Sequence, residues 1–230
     1  MQRTLVFDLD GTLAETAGDL IKTLNHILAR EGLAPVSLAA GREMVGAGAK
    51  ALIRAGFAQS KADLDDSRLD ELFHEYLAHY EAHIADETHL YDGVTAALDR
   101  FERAGWHLAV CTNKIEAPSR RLLGALGIAE RFAAICGQDT HKVDGVSICK
   151  PDPRALTLTI AEAGGTAGRA VMVGDSKTDI ATAQAAGVPV IAVDFGYTDR
   201  HVSHFNPDRV ISHFDALWDA VRELEGKFTS

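Results

Sequence analysis

The sequence predicts an α/β fold: a doubly wound, mostly parallel sheet with an all-helical unit inserted into it. Three observations predict this. Short, continuous apolar runs recur along the chain, among them Leu5-Val6-Phe7, Leu108-Ala109-Val110-Cys111, Ala170-Val171-Met172-Val173 and Val190-Ile191-Ala192-Val193. Runs of this length suit strands buried on both faces of a parallel sheet. From residue 93 onward they alternate with helical patterns, which is the rhythm of βαβ units. Finally, about a hundred residues separate the first run from the second, far more than one crossover helix needs.

Leu5-Val6-Phe7 is the first strand. The interval from 16 to 84 is helical in pattern. Asp19 to Glu31 carries Leu20, Ile21, Leu24, Ile27 and Leu28 on one face, and Leu69 to Ile84 carries Leu72, Phe73, Tyr76, Leu77 and Tyr80 at similar spacing. Residues 16–84 are therefore expected to form the helical unit, with 1–15 and 85–230 forming a Rossmann-like core. Leu108–Cys111 is the second strand, Phe132–Cys136 a weaker third, and Ala170–Val173 and Val190–Val193 the fourth and fifth. Arg209–Ile211 is a short sixth. A final helix follows Trp218 and frays at Lys227 to Ser230. No internal repeat or low-complexity segment interrupts this plan.

Composition narrows the function. The 230 residues are 47% hydrophobic, enough for a sizeable core. There are 23 Lys and Arg against 33 Asp and Glu, a net charge of -10. An acidic surface argues against a nucleic-acid partner. It also repels small anions, so any anion site must be built locally from backbone N–H groups, a cation and a metal. Three cysteines, Cys111, Cys136 and Cys149, without paired spacing point to free thiols in a reducing compartment. No signal-peptide core is present, and no apolar run approaches the ~18 residues of a membrane span. The expectation is a cytoplasmic protein with no membrane or nucleic-acid partner. The expected assembly is a monomer or a homodimer.

In a parallel sheet the ligand crevice lies at the carboxyl ends of the strands, so the residues after each strand carry the chemistry. After the first come Asp8 and Asp10. Residues two apart in extended chain point the same way. Two converging carboxylates require a cation or a shared proton, and they supply an ionised nucleophile beside an acid/base partner. The Gly11-Thr12 turn offers backbone N–H groups to an anion; Leu9 and Gly11 are the candidate backbone donors. The competing reading is an Asp-Gly turn with Asp10 as a helix cap. After the second strand, Thr112 and Asn113 offer a hydroxyl and an amide to phosphate oxygens, although Thr112 also reads as a helix cap. Lys150, followed by Pro151-Asp152-Pro153, is a fixed cation for phosphate and carboxylates, or a solvated loop lysine. After the fourth strand, Asp175 is placed for a magnesium-type ion. Asp179, one helical turn on, braces it or holds a metal-bound water; capping by Asp175 or Ser176 competes with this.

Together these residues resemble the haloacid dehalogenase superfamily in its phosphatase branch. Its four signatures match as Asp8-Leu9-Asp10-Gly11-Thr12, Thr112, Lys150 and Gly174-Asp175-x-x-x-Asp179, over essentially the whole chain. The helical unit is similar to that family's cap. The resemblance implies a phosphoaspartyl mechanism: Asp8 attacks phosphorus, and Asp10 protonates the leaving alkoxide, then deprotonates the hydrolytic water. It also implies Mg2+ held by Asp8, the main-chain carbonyl of Asp10 and Asp175, and phosphoryl oxygens held by Thr112 and Lys150. Glu15-Thr16 departs mildly from the family, which more often has Asp before the cap. Asp10 itself argues for phosphoryl transfer, since the dehalogenases lack it.

Leu90-Tyr91-Asp92-Gly93-Val94, Cys149-Lys150-Pro151-Asp152-Pro153 and Phe195-Gly196-Tyr197 further resemble the bacterial phosphoglycolate phosphatases. So does Val45-Gly46-Ala47-Gly48, whose glycine-rich loop is the candidate substrate loop of the cap. The resemblance thus implies hydrolysis of a small phosphorylated metabolite, 2-phosphoglycolate first, with another small ester, pyrophosphate or a sugar phosphomutase reaction as alternatives. A non-enzymatic binding module is disfavoured because all four motif positions are intact.

Other readings lose. Gly46-x-Gly48-x-x-Ala51 formally fits a dinucleotide fingerprint but lacks a preceding strand. Gly174 to Thr178 lacks the glycine spacing of a P-loop. Cys111 as a cysteine-phosphatase nucleophile lacks the arginine its loop needs. His79 and His83, one turn apart, lack a third metal ligand.

Overall fold

The computed structural model describes residues 2–46, 48–198 and 200–228; Ala47, in the candidate substrate loop, lies outside them. In chain order, β1 (Gln2–Phe7) leads to the two-residue strand β2 (Ala14–Glu15) and to four helices: α1 (Ala17–Arg30), α2 (Leu38–Arg42), α3 (Ala49–Gln59) and α4 (Asp66–Ala82). β3 (His89–Leu90) returns the chain. It is followed by α5 (Val94–Arg103), β4 (His107–Cys111), α6 (Glu116–Ala125), β5 (Ala134–Cys136), the strands β6 (Lys142–Val143) and β7 (Val146–Ser147), and α7 (Pro153–Glu162). Then come β8 (Gly165–Gly174), α8 (Lys177–Ala186), β9 (Val190–Val193), β10 (Arg209–Ile211) and α9 (Leu217–Leu224).

The main sheet has the order β10-β9-β8-β1-β4-β5, and every pairing in it is parallel. Side chains alternate between its faces with period 2. Leu5, Phe7, Leu108, Val110, Val171, Val173, Ile191 and Val193 enter one apolar cluster with Leu98, Phe101, Leu122, Leu217 and Val221 from α5, α6 and α9. Val6, Ala109, Met172, Val190 and Ala192 enter the other with Leu156, Ile160, Ile180 and Ala183 from α7 and α8. Each strand is thus covered on both sides, which is why its sequence is apolar without alternation. β1 sits between β8 and β4, and the chain winds outward from it in both directions. The fold is a doubly wound α/β sheet.

The helical interval holds four helices where the apolar periodicity suggested two. α1 packs on α2, α3 and α4, and α3 packs on α4. α2 and α3 escaped notice because they are short and rich in Ala and Gly, so their apolar stripe is narrow. α1 starts at Ala17, two residues before the expected Asp19. The Asp19 carboxylate is buried and accepts from Glu87 N, Thr88 N and the Thr88 hydroxyl at 2.7–3.1 Å, tying the entrance of the helical segment to its exit. Next to it β2 and β3 pair antiparallel. Strand β5 begins at Ala134, two residues later than expected, because residues 129–131 form a 3-10 turn. At the C-terminus, Glu225–Lys227 is likewise a 3-10 turn.

Among the described residues, no helix is long and apolar enough to cross a membrane.

Candidate active site

β1 ends at Phe7, so Asp8 emerges at the centre of the sheet's carboxyl edge, its N–H donating to the Val173 carbonyl at 2.9 Å. Asp175 follows β8 on one side of it and Thr112 follows β4 on the other. Asp8, Thr112, Lys150, Asp175 and Asp179 are all buried. Carboxylate oxygens of Asp8, Asp175 and Asp179 lie within 4.8 Å of one another. Lys150 reaches into this cluster from the loop before α7. Its Nζ stands 2.5 Å from Asp179 Oδ1 and 2.9 Å from Asp8 Oδ1. Asp8 Oδ1 is a buried oxygen whose cationic neighbour is this ammonium.

The electrostatics follow from this crowding. Burial pushes the Asp8 carboxyl up to about 6 from an ordinary 3.8, Lys150 pulls against it, and Asp179 and Asp10 add to the rise. Burial, then Asp179 and Asp8, drive Asp175 well above the usual carboxylate range. Burial would lower Lys150, but Asp179 and Asp8 outweigh it and raise the ammonium well above its ordinary value. When all three carboxylates are ionised, one ammonium leaves two negative charges in excess in a buried site, which is what holds the carboxyls up without a cation. A divalent cation cancels that excess. The donors are all oxygen, which suits a hard ion such as Mg2+. Asp8 and Asp175 are the residues that fit it.

Asp179 serves as a brace. Its Oδ2 accepts from Ser176 N and the Ser176 hydroxyl at 3.1 and 2.6 Å, while Ser176 Oγ accepts from Asp179 N. This is a capping box at the start of α8, and it leaves Oδ1 for Lys150. The expected capping by Ser176 is therefore present, and the same carboxylate also faces Lys150. Thr112 is no helix cap. α6 begins at Glu116 after Ile115, and Thr112 Oγ1 accepts from Lys114 N at 3.1 Å. Asn113 Nδ2 donates to the Lys150 carbonyl at 3.0 Å, and its Oδ1 is buried without a partner. The amide thus ties the loop after β4 to the main chain of Lys150. The turn after Asp8 needs Gly11: its φ is +84°, and a Cβ there would overlap Asp175 Oδ2 and lie 2.9 Å from the Tyr197 ring.

Two residues went unassigned in the sequence. Lys114 Nζ lies 3.1 and 3.3 Å from the Asp10 oxygens and 4.4 Å over the Tyr80 ring. Against the burial that would lower it, Asp10 and Tyr80 raise the Lys114 ammonium well above its ordinary value. Tyr197 donates its N–H to Asp175 Oδ2 at 2.5 Å. Its hydroxyl accepts from Thr16 N and Ala17 N at 2.6 and 3.0 Å and donates to Glu15 Oε1 at 2.6 Å. Glu15 in turn holds Arg42 of α2 at 2.6 Å and the Tyr91 hydroxyl at 3.1 Å. The Asp-to-Glu departure noted in the sequence therefore sits at the foot of the helical segment, away from the buried carboxylates. Lys114 directly follows Thr112 and Asn113 in the sequence, which is the one signal available.

A cleft of about 50 Å3 lies above Asp8 and Asp10. Val45, Gly46, Gly48, Leu52, Tyr76 and Tyr80 come to it from the helices, and Thr112, Asn113 and Lys114 from the sheet. By the measure in which one water needs about 10–15 Å3, it admits a small molecule. Competing readings find no support in the geometry. Cys111 is buried and its thiol is pushed up to about 11, chiefly by burial, so it is no thiolate nucleophile. Gly46 is preceded by α2, not by a strand. His79 does gain a third neighbour: its ring stacks on His26 at 4.0 Å and packs on His83 at 4.6 Å. These contacts bring ring faces together, not nitrogens.

Comparison with known proteins agrees with this architecture. The haloacid dehalogenase-like hydrolase family matches residues 5–193. A protein named phosphoglycolate phosphatase from Mesorhizobium japonicum is 54% identical over 93% of this chain and 92% of its own length. One of the same name from Agrobacterium fabrum is 44% identical over 95% and 91%. A crystal structure of a predicted phosphoglycolate phosphatase from Haemophilus somnus 129PT superposes with a TM-score of 0.86 at 25% identity, covering 96% of this chain and 98% of the other. The buried acidic cluster at the edge of β1 and β8 is thus that of an enzyme, and the chain belongs to the haloacid dehalogenase-like hydrolases.

Proposed function

We propose that the protein is a magnesium-dependent phosphomonoester hydrolase acting through Asp8, with 2-phosphoglycolate as its first substrate. The observation that carries this reading is the convergence of Asp8, Asp175, Asp179 and Lys150 on one buried point with two negative charges in excess.

Magnesium, held by Asp8, the Asp10 carbonyl and Asp175 with Asp179 behind, would offset the charge of the phosphoryl oxygens and of the attacking carboxylate. The chain's own groups do the rest. Lys150 and the Thr112 hydroxyl bind phosphoryl oxygens, with the backbone N–H of Leu9 and an N–H of Asn113; the Gly11 N–H, expected from the sequence as a further donor, is already given to the Ala14 carbonyl at 2.9 Å. An Asp8 oxygen attacks phosphorus, so an Asp8 O–P bond forms as the P–O ester bond breaks. Asp10, held by Lys114, gives its proton to the departing alkoxide. A water then attacks the phosphoaspartate, Asp10 takes its proton, and phosphate leaves with Asp8 restored.

Residues 16–84 act as a cap that closes over the cleft and excludes bulk water. The loop Val45, Gly46, Ala47 and Gly48 meets the substrate's non-phosphate end. The small cleft and its apolar wall of Leu20, Val45, Leu52 and Tyr76 support a short ester, and the names of the close relatives support phosphoglycolate. A panel of phosphorylated metabolites with and without Mg2+ is the test. Phosphate release from 2-phosphoglycolate that disappears with chelator is expected; preference for a sugar phosphate overturns the substrate assignment.

A further inference from the structure

At the carboxyl end of β5, three potential metal ligands meet. Cys136, the last residue of β5, is 3% exposed. Its Sγ lies 3.2 Å from Glu162 Oε2, at the end of α7. His141, in the segment between β5 and β6, places Nε2 3.5 Å from Glu162 Oε1. That approach is not a hydrogen bond, and His141 Nε2 is a buried nitrogen without a partner. All three ligand atoms lie within 4.8 Å of one another.

The separations can be compared with those of a tetrahedral zinc site. With Zn–S about 2.3 Å and Zn–N or Zn–O about 2.0–2.1 Å, neighbouring ligand atoms stand about 3.3–3.6 Å apart. The observed 3.2 and 3.5 Å, the first to Glu162 Oε2 and the second to Oε1, lie within a few tenths of an ångström of that spacing, so a small turn of the carboxylate completes the set. A thiol, an imidazole and a carboxylate select a borderline-soft ion over magnesium. Glu162 is half-exposed, so a fourth, water-filled position is accessible. We propose that Cys136, His141 and Glu162 form a second metal site, for a zinc-type divalent ion. It shares no residue with the acidic cluster and does not depend on the proposed phosphatase activity.

Without metal the neutral thiol donates to Glu162. On loading, the S–H bond breaks, the thiolate sulfur binds the ion and the proton leaves to solvent. The ion then joins β5, α7 and the segment that runs on through β6 and β7 to Lys150. Ile148 N already donates to the His141 carbonyl at 2.9 Å, so the clamp would hold that segment at its base.

Cobalt titration tests this. Metal-stripped protein is given excess Mg2+ to occupy the aspartates, then Co2+ alone. A thiolate-to-cobalt charge-transfer band in the near ultraviolet is expected, rising to one Co2+ per chain and abolished by equimolar Zn2+. Cys136→Ser should lose the band, while Cys149→Ser keeps it. Glu162→Gln, a change at a half-exposed helix end, should weaken Co2+ binding by about tenfold or more, the lower range for a damaged site. Should Cys136→Ser fail to fold, His141→Ala and Glu162→Gln decide the matter by the same affinity readout. Absence of the band in the wild type, its survival in Cys136→Ser, or unchanged affinity in both His141→Ala and Glu162→Gln overturns the proposal.

Discussion

Replacing Asp8 by Asn should abolish turnover and, without metal, make the protein more stable. The carboxyl is 7% exposed, and its ionisation is raised from 3.8 to about 6 by burial, with the opposing pull of Lys150 already included. A rise of about two units corresponds to about 3 kcal/mol of destabilisation above pH 6, at about 1.4 kcal/mol per unit. The folded carboxyl binds its proton more tightly than the unfolded one, so stability falls as pH rises from about 4 to about 6 and is level above that. An amide of the same shape escapes this penalty, and Lys150 keeps Asp179 as a partner at 2.5 Å. For a domain of this size, about 2–4 °C per kcal/mol gives a gain of about 6–12 °C. The assay is thermal denaturation in chelator at pH 7.5 and at pH 5, where about half the gain should remain. Mg2+ at one hundred times its Kd stabilises the wild type by about 2.7 kcal/mol, which should nearly close the gap. An Asn variant no more stable than wild type in chelator at pH 7.5, or a gap unchanged at pH 5, refutes the electrostatic reasoning. Near-wild-type turnover refutes Asp8 as nucleophile.

Two further outcomes follow from neighbouring contacts. Lys114→Met removes the cation that holds Asp10 at 3.1 Å; kcat should fall by roughly ten- to a hundredfold, below the full 10²–10⁴ of a lost acid/base group, in steady-state assays, and an unchanged kcat removes Lys114 from the mechanism. Tyr197→Phe strips the hydroxyl from Thr16 N, Ala17 N and Glu15; denaturant titration should show a loss of about 1–3 kcal/mol, and no loss means that these amides find water instead.

Much of the fold was legible because strands buried on both faces have to be apolar throughout. Val6 faces one helix layer while Leu5 and Phe7 face the other, so nothing in the run could be polar. The helical insertion announced itself by length and by the stripes of α1 and α4. β2 and β3 did not, since two residues show no period. In the site, Asp8, Asp10, Asp175 and Asp179 were found because each follows a strand or stands a helical turn from one that does. Lys114 was passed over because its partner lies 104 residues away, and only the loop after β4 brings them together. Tyr197 was quoted for its likeness to a family; its link to Asp175 runs through a backbone N–H, which no side-chain pattern records. Cys136 and Glu162 are likewise joined only by the packing of α7 on β5.

Tyr197 has one more implication. Its main chain holds a carboxylate of the buried cluster, and its side chain holds the first amides of α1. The loop between β9 and β10 therefore touches both the buried cluster and the first turn of α1. If loading the carboxylates shifts the pose of α1 through this loop, reciprocity requires that pose to shift their affinity by the same free energy.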